Sequence, residues 1–261
     1  MANCYSYEII AESENAIFKN VDLTIVLTMK DSVRFKKDPL LLNLSKKTVF
    51  QINKGFRDCE KPESIKRTVE DLTHAYYIAF EYAKKYDNVI ILEDDAEVLN
   101  YKVSHYKAID DYIGSNEFSI ISMGSLGFFN KKDDLFYESA GMTHSHTQAQ
   151  IISKKTRNKV QKLILSKNFI GHIDKSYFAE QNVLIYHEPL IVQIVSETEN
   201  FKNWDGPLWV HRVVANIQGL RYDKMGWYKA YLLCKMWAEI EEYKLYLFLL
   251  IIVLLLLYCK K

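Results

Sequence analysis

Glycine and proline are scarce, with nine and four in 261 residues, which excludes a collagen-like or linker-rich chain. Net charge is nearly absent as well. The 34 Lys and Arg against 33 Asp and Glu leave a formal +1, so no overall field draws the chain to nucleic acid. The four cysteines, Cys4, Cys59, Cys234 and Cys259, are scattered without a CxxC spacing. That pattern indicates neither a zinc site nor a disulfide framework, and it fits a reducing, cytosol-facing environment. Motif absences narrow the chemistry further. There is no GxxxxGK[ST] loop, no dinucleotide fingerprint around Gly124 and Gly127, and no Gly-x-Ser-x-Gly elbow. Of the phosphate chemistries that a metal–carboxylate pair would fit, group transfer from a diphosphate-activated donor and phosphoester hydrolysis remain.

The N-terminus lacks the basic start and apolar run of a signal peptide. The one long apolar run, "LYLFLLIIVLLLLYC" (Leu245 to Cys259), is uncharged and flanked by Lys244 and Lys260–Lys261. It is slightly shorter than the roughly 20 residues of an average spanning helix, and flanking lysines and tyrosines suit the interfaces. The expectation is a single-pass tail anchor over residues 243–259, with the body in the cytosol. Abundant Lys, Asn, Ile and Tyr fit an AT-rich genome such as that of a large virus.

Between a polar extension (1–20) and an amphipathic helical linker (211–242), residues 21–210 alternate strand and helix signals. "VDLTIVLTM" and "TVFQIN" read as buried strands, with a short helix near Pro39 between them. "RTVEDLTHAYYIAFEYAKKYD" puts Val69, Leu72, Tyr76, Ala79, Phe80 and Ala83 on one helical face, with Thr68 and Asp71 as a capping pair. Further strands are expected at "FSIISMGSLGFF", "TQAQIIS" and "NVLIYHEPLIVQ", with a basic helix after Ser153. This alternation predicts an α/β domain with a mainly parallel sheet.

The stretch "NVIILEDDAEV" carries the chemistry. Four apolar β-formers run into Glu93, Asp94 and Asp95, three adjacent carboxylates that repel one another and resist burial. Strand alternation would aim Glu93 and Asp95 the same way and Asp94 the other. Ligands of open α/β sheets bind at the carboxyl ends of strands. Hard dications there use one or two carboxylates plus substrate phosphates. A solvated loop whose acids cap a helix is the plain alternative. His144 and His146, the basic "KKTRNK" and the aromatic "NWDGPLWV" have ordinary loop, surface and packing readings.

"IILEDDAEVL" resembles the acidic signature of glycosyltransferase family 25, which includes lipopolysaccharide-type and collagen galactosyltransferases. Other segments resemble the family in the same order: "TIVLTMKDSVR" with Arg34, "EDLTHAYYIAFEYA" with His74, "HTQAQIISKKTRNKVQKLI" with Thr147, "HIDKSYF" with Asp174, and "HEPLIVQIVSE" with Gln193. The chain departs from the pattern at "VED" before the helix, at His146 and at Gln150. The resemblance implies a single GT-A-like nucleotide-sugar-binding domain and inverting transfer of a sugar, such as galactose or glucose. The donor would be a nucleoside-diphosphate sugar and the acceptor a glycan or protein. It implies Mn²⁺ (or Mg²⁺) on Asp95 together with Glu93 or Asp94. Arg34, Asp94, His74, Thr147 and Gln193 would hold the nucleotide sugar. Asp174 would be the base, with Glu180 and Glu188 behind it. The alternatives are a catalytically silent membrane-anchored scaffold of the same fold, and a metal-dependent phosphohydrolase.

Overall fold

The computed structural model describes residues 4–35, 37–127, 129–139, 148–193, 224–240 and 243. In chain order the elements are β1 (Tyr5–Glu12), β2 (Leu23–Met29), α1 (Pro39–Leu42), β3 (Lys47–Asn53), α2 (Thr68–Tyr82), β4 (Asn88–Glu93), β5 (Ala96–Val98), α3 (Val103–Ser115), β6 (Ile120–Ser122), β7 (Phe129–Lys131), β8 (Phe136–Ser139), β9 (Ala149–Ser153), α4 (Lys154–Ser166), a π-helical turn (Ile173–Phe178), β10 (Val183–Tyr186), β11 (Ile191–Gln193) and α5 (Lys224–Ile240). Nine strands form one sheet in the order β1-β3-β2-β4-β9-β6-β10-β8-β7, and β5 pairs with β11 in a small second sheet.

The uninterrupted apolar run of β4 follows from its place near the middle of the large sheet. Val89, Ile90, Ile91 and Leu92 are all fully buried. Val89 and Ile91 face the cluster that includes Tyr76 and Phe80 of α2, Val160 and Ile164 of α4, and Trp227 and Tyr231 of α5. Ile90 and Leu92 face the opposite cluster, with Leu41 of α1 and Tyr106 and Ile109 of α3. A strand covered by helices on both faces has no side on which polar residues are favoured. Each fully buried aliphatic side chain there stabilises by about 1.5–3 kcal/mol.

Local signals explain the helix positions. Glu70 accepts from the backbone N–H groups of Lys66 and Arg67 at 3.0 and 2.9 Å and so caps α2, one position before the Asp71 expected to do so. Ser153 caps α4 through the Thr156 N–H at 3.4 Å. Arg157, one turn further on, is buried. It donates to the carbonyls of Ile152 at 2.7 Å and Ala83 and Asp87 at 3.3 Å, and to that of Tyr86. Ala83 is the C-cap of α2, so this cation sits at the negative end of that helix. Its burial lowers its pKa to about 10.

Several expectations are corrected. The sheet is mixed: β2 pairs in parallel with β3 and β4, and β6 with β10, whereas the other neighbours in the large sheet are antiparallel. Between β6 and β9 the chain makes the β7–β8 hairpin and, among the described residues, no helix. It therefore lacks the crossover that a parallel neighbour requires. The supposed extension 1–20 supplies the edge strand β1 and the fully buried Phe18. Within the expected linker 211–242, Lys224–Ile240 form α5, whose Trp227, Ala230, Tyr231 and Ala238 pack into the core, while Met225, Leu232, Leu233 and Met236 of the same helix are exposed. Cys4 and Cys59 form a disulfide across 55 residues, with Cα atoms 5.5 Å apart, a pairing that no local spacing could announce. Disulfides are rare in the mesophilic cytosol, and the reading of a reducing environment loses its basis. No helix among the described residues is long and apolar enough to cross a membrane, and the run 244–261 lies outside them. The tail anchor, the membrane partner and the cytosolic orientation built on it are withdrawn.

Gly124 lets the two sheets meet. Leu190 and Ile191 both donate their N–H groups to the Met123 carbonyl, at 2.7 and 3.2 Å, and a Cβ at Gly124 would lie 1.9 Å from the Ile191 oxygen. Gly124→Ala must push β11 away and should lower stability by roughly 1–3 kcal/mol. Urea unfolding measures this, and an unchanged midpoint would show that β11 is not pinned there.

Candidate functional site

The carboxyl ends of β2 and β4 lie side by side, with Leu27 opposite Glu93 in parallel register. β4 ends at Glu93, and Asp94 and Asp95 occupy the turn that leads into β5. Strand alternation therefore stops one residue before it was expected to matter. Glu93 turns toward α2 and accepts from the Tyr76 hydroxyl at 3.3 Å. Asp94 and Asp95 form the pair instead, both buried, with 4% and 7% exposure.

Arg34, on the loop after β2, faces both. Its Nη2 lies 2.9 Å from Asp94 Oδ1 and its Nη1 3.8 Å from Asp95 Oδ2. Thr28 at the end of β2 donates to Asp94 Oδ2 at 3.1 Å. Gln193 at the end of β11 donates to Asp95 Oδ2 at 2.8 Å, and the β5–β11 register sets Gln193 opposite Ala96. The remaining oxygen, Asp95 Oδ1, is buried with no hydrogen-bond partner among the described residues. Burial, reinforced by the Asp94 charge, raises the Asp95 pKa to about 6 against the opposing effects of Gln193 and Arg34. A buried carboxylate oxygen left without a donor costs stability. It is also the group a hard cation would satisfy. The described residues hold no group of three or more His, Cys, Asp or Glu able to bind a metal, so substrate oxygens would have to complete any shell here. Two carboxylates plus phosphates is the usual arrangement for Mg²⁺, and the donor set fits it.

His74 is elsewhere. It is buried, and its Nδ1 lies 2.8 Å from the Tyr5 hydroxyl. Buried Lys61 donates to that hydroxyl at 3.0 Å, to Asn53 Oδ1 at 2.7 Å and to the Asp71 carboxylate. The Tyr5 hydroxyl thus meets both the Lys61 ammonium and His74 Nδ1, and His74 Nε2 has no partner among the described residues. Burial, with Lys61 near, pushes His74 down to about 4. It is a neutral member of a buried polar cluster, and no hydrogen bond among the described residues ties it to Asp94 or Asp95.

Asp174 is half-buried in the π-helical turn and accepts from the Lys175 N–H at 2.8 Å. The same turn places Phe178 against Tyr76, ring centroids 5.6 Å apart, and Tyr76 in turn reaches Glu93. Glu180 is exposed and pairs with Lys167 at 2.7 Å. Glu188 lies 3.7 Å from Lys235 and lines a cleft of about 570 Å³ with His105, His187, Lys102, Lys224 and Tyr228, among others. Thr147 lies outside the described residues, as do His144, His146 and the aromatic stretch 203–210. Sequence reading missed Thr28 and Tyr76 as site residues. The alternation of β2 was a usable signal for Thr28, whereas Tyr76 looked like one more residue of an apolar helix stripe.

No family model and no curated protein sequence matches the chain. Among solved structures, similar layouts occur in the protein A197 from STIV (11% identity, 67% of this chain and 87% of that one, TM-score 0.43). They occur also in the inositol-1-phosphate CTP transferase from T. maritima (12%, 75% and 96%, TM-score 0.41). A third is the mannose-1-phosphate geranyltransferase from Thermus thermophilus (10%, 44% and 49%, TM-score 0.31). Likeness this distant concerns layout and assigns no reaction.

The raised pKa of Asp95 has a testable sign. The folded protein holds this proton more tightly than the unfolded chain, whose aspartates titrate near 3.9. Stability from this group therefore rises as pH falls from above about 6 toward 4. Asp95→Asn should stabilise the protein at pH 8 by about 1–3 kcal/mol, with the gain gone at pH 4. Urea melts at the two pH values measure it. A variant destabilised at pH 8 would mean that Arg34 and Gln193 more than offset the burial.

Proposed function

We propose that the chain is a metal-dependent glycosyltransferase that moves a sugar, such as galactose or glucose, from a nucleoside-diphosphate sugar to a hydroxyl of a glycan or protein. The observation that carries this reading is the unpartnered buried oxygen of Asp95, beside Asp94 and Arg34 at the carboxyl end of the sheet. The family 25 resemblance around Glu93–Asp95, and the collinear segments through Gln193, support the same assignment.

In this reading Asp95 and Asp94 hold Mn²⁺ or Mg²⁺, the pairing with Asp94 being favoured over that with Glu93 because Glu93 turns to Tyr76. A bound dication supplies Lewis-acid stabilisation of the diphosphate leaving group. Gln193 fixes the orientation of Asp95 through its 2.8 Å hydrogen bond. Arg34 offers a planar fork of donors suited to phosphate oxygens. Glu93, held by Tyr76, steadies the end of β4. Asp174 is the base that takes the acceptor hydroxyl proton. Its turn packs on Tyr76, the residue that touches the acidic strand end, and π-helical turns recur at functional sites. Inversion follows from one displacement assisted by one carboxylate.

A silent scaffold of the same fold has one observation in its favour: Arg34 already neutralises much of the pair. Release of UDP from a panel of UDP-sugars by the full chain with Mn²⁺ separates the two. Asp95→Ala should reduce release at least about 100-fold, and Asp174→Asn should lower kcat by a similar factor with little change in KM. Release that persists in Asp95→Ala would refute the assignment of the metal to this pair.

A further inference from the structure

The four oxygens of the Asp94–Asp95 pair are unequally served. Asp94 Oδ1 faces Arg34 at 2.9 Å and Asp94 Oδ2 takes the Thr28 hydroxyl at 3.1 Å. Asp95 Oδ2 takes Gln193 at 2.8 Å and lies 3.8 Å from Arg34. Asp95 Oδ1 alone has no donor among the described residues, although it is shielded from water. Among the described residues a single guanidinium therefore serves as the counter-charge for two buried carboxylates and leaves one corner open.

The partners differ in how firmly they are held. Asp94 and Asp95 are buried and follow directly on the central strand. The Arg34 side chain is 32% exposed and sits in the irregular stretch between β2 and α1. Among the described residues, its hydrogen bonds outside the pair are local ones with Ser32. That hydroxyl accepts from the Arg34 backbone N–H at 3.3 Å and from its Nε at 3.5 Å. The carboxylates cannot move far, whereas the guanidinium can swing outward on its own side-chain torsions.

We infer that Arg34 is a built-in counter-cation that occupies the pair until a dication arrives together with its diphosphate ligand, and that the displaced guanidinium then engages the diphosphate. This rests on the reading above that the pair binds a metal. A dication on Asp95 Oδ1 and Asp94 would stand within a few ångströms of the guanidinium, and like charges at that range in a shielded site repel strongly. Arg34 must leave for the ion to bind well. A diphosphate on the outer side of the ion offers the displaced fork a bidentate partner, with which arginine pairs better than lysine does. Metal alone then loses the Arg34–Asp94 ion pair without replacement, whereas metal and nucleotide together exchange it for an arginine–phosphate pair. Their binding is consequently synergistic, and the site resists metal without a nucleotide.

The test is Mn²⁺ titration, by electron paramagnetic resonance or calorimetry, of the full-length wild type, Arg34→Gln and Arg34→Lys, each with and without UDP. Asp95→Asn serves as the metal-binding control. Arg34 lies on an irregular loop and is part-exposed, so thermal unfolding should report folded variants. In Arg34→Gln, Mn²⁺ without UDP should bind about tenfold more tightly than in wild type, and UDP at saturating Mn²⁺ about tenfold more weakly. Arg34→Lys should fall between. Wild-type Mn²⁺ binding that Arg34→Gln leaves unchanged overturns this inference while leaving the metal reading standing. Tighter Mn²⁺ with unaltered UDP affinity also overturns it, because the guanidinium then does not pass to the diphosphate. No Mn²⁺ binding by any variant, with or without UDP, overturns the metal reading itself.

Discussion

Two carboxylates lie buried side by side where the central strand ends, and much of the surrounding architecture can be understood as the means of keeping them there. Neighbouring ionised acids repel, and burial removes the water that would soften the repulsion. Thr28 from β2, Arg34 from the following loop and Gln193 from β11 converge on Asp94 and Asp95 from elements far apart in sequence. Parallel pairing of β2 with β4 brings the first two within reach. The small β5–β11 sheet brings the third, and it depends on the missing side chain of Gly124. Even so, one oxygen of Asp95 stays unserved among the described residues. An arrangement that stops short of satisfying its own most costly group is expected where function, rather than stability, selects the residues.

The rest of the scaffold is conservative by comparison. Helices cover both faces of a sheet in which β4 is apolar from Val89 to Leu92 and its neighbours are mostly so. Arg157, a buried cation, directs its donors to carbonyls at the end of α2 and at the end of β9, and thereby ties three elements together. The cluster of Tyr5, Asn53, Lys61, Asp71 and His74 is another polar centre of the fold. Unlike the acidic pair, it pairs its lysine with an aspartate, so its internal charges balance. That difference separates a polar group whose charges balance from one with a carboxylate in excess.

Much of this was readable from residues alone, and the misses have physical causes. The α2 stripe, the apolar β4 and the basic helix after Ser153 are local patterns, set by periodicities of 3.6 and 2. β1 was missed because an edge strand exposed on one side carries polar residues and resembles a loop. α3 was overlooked although Tyr106, Ile109 and Ile113 recur at helical spacing, because its other positions are polar. The direction of β9 was misjudged because nothing local encodes which neighbour a strand will find. α5 reads as a surface helix because its local pattern does not say that Trp227 and Tyr231 will meet the sheet.

The sequence by itself determined that an apolar strand runs into three carboxylates; that Arg34 and Gln193 meet them was an expectation of the family resemblance, and the contacts are a matter of tertiary structure. Tertiary structure decided which carboxylates form the pair. The strand stops at Glu93, the turn swings Asp94 and Asp95 to one place, and Glu93 goes to Tyr76. Side-chain direction depends on where regular backbone ends, and that is set by pairing with β2 and by the β5–β11 ribbon rather than by the residues of the motif itself.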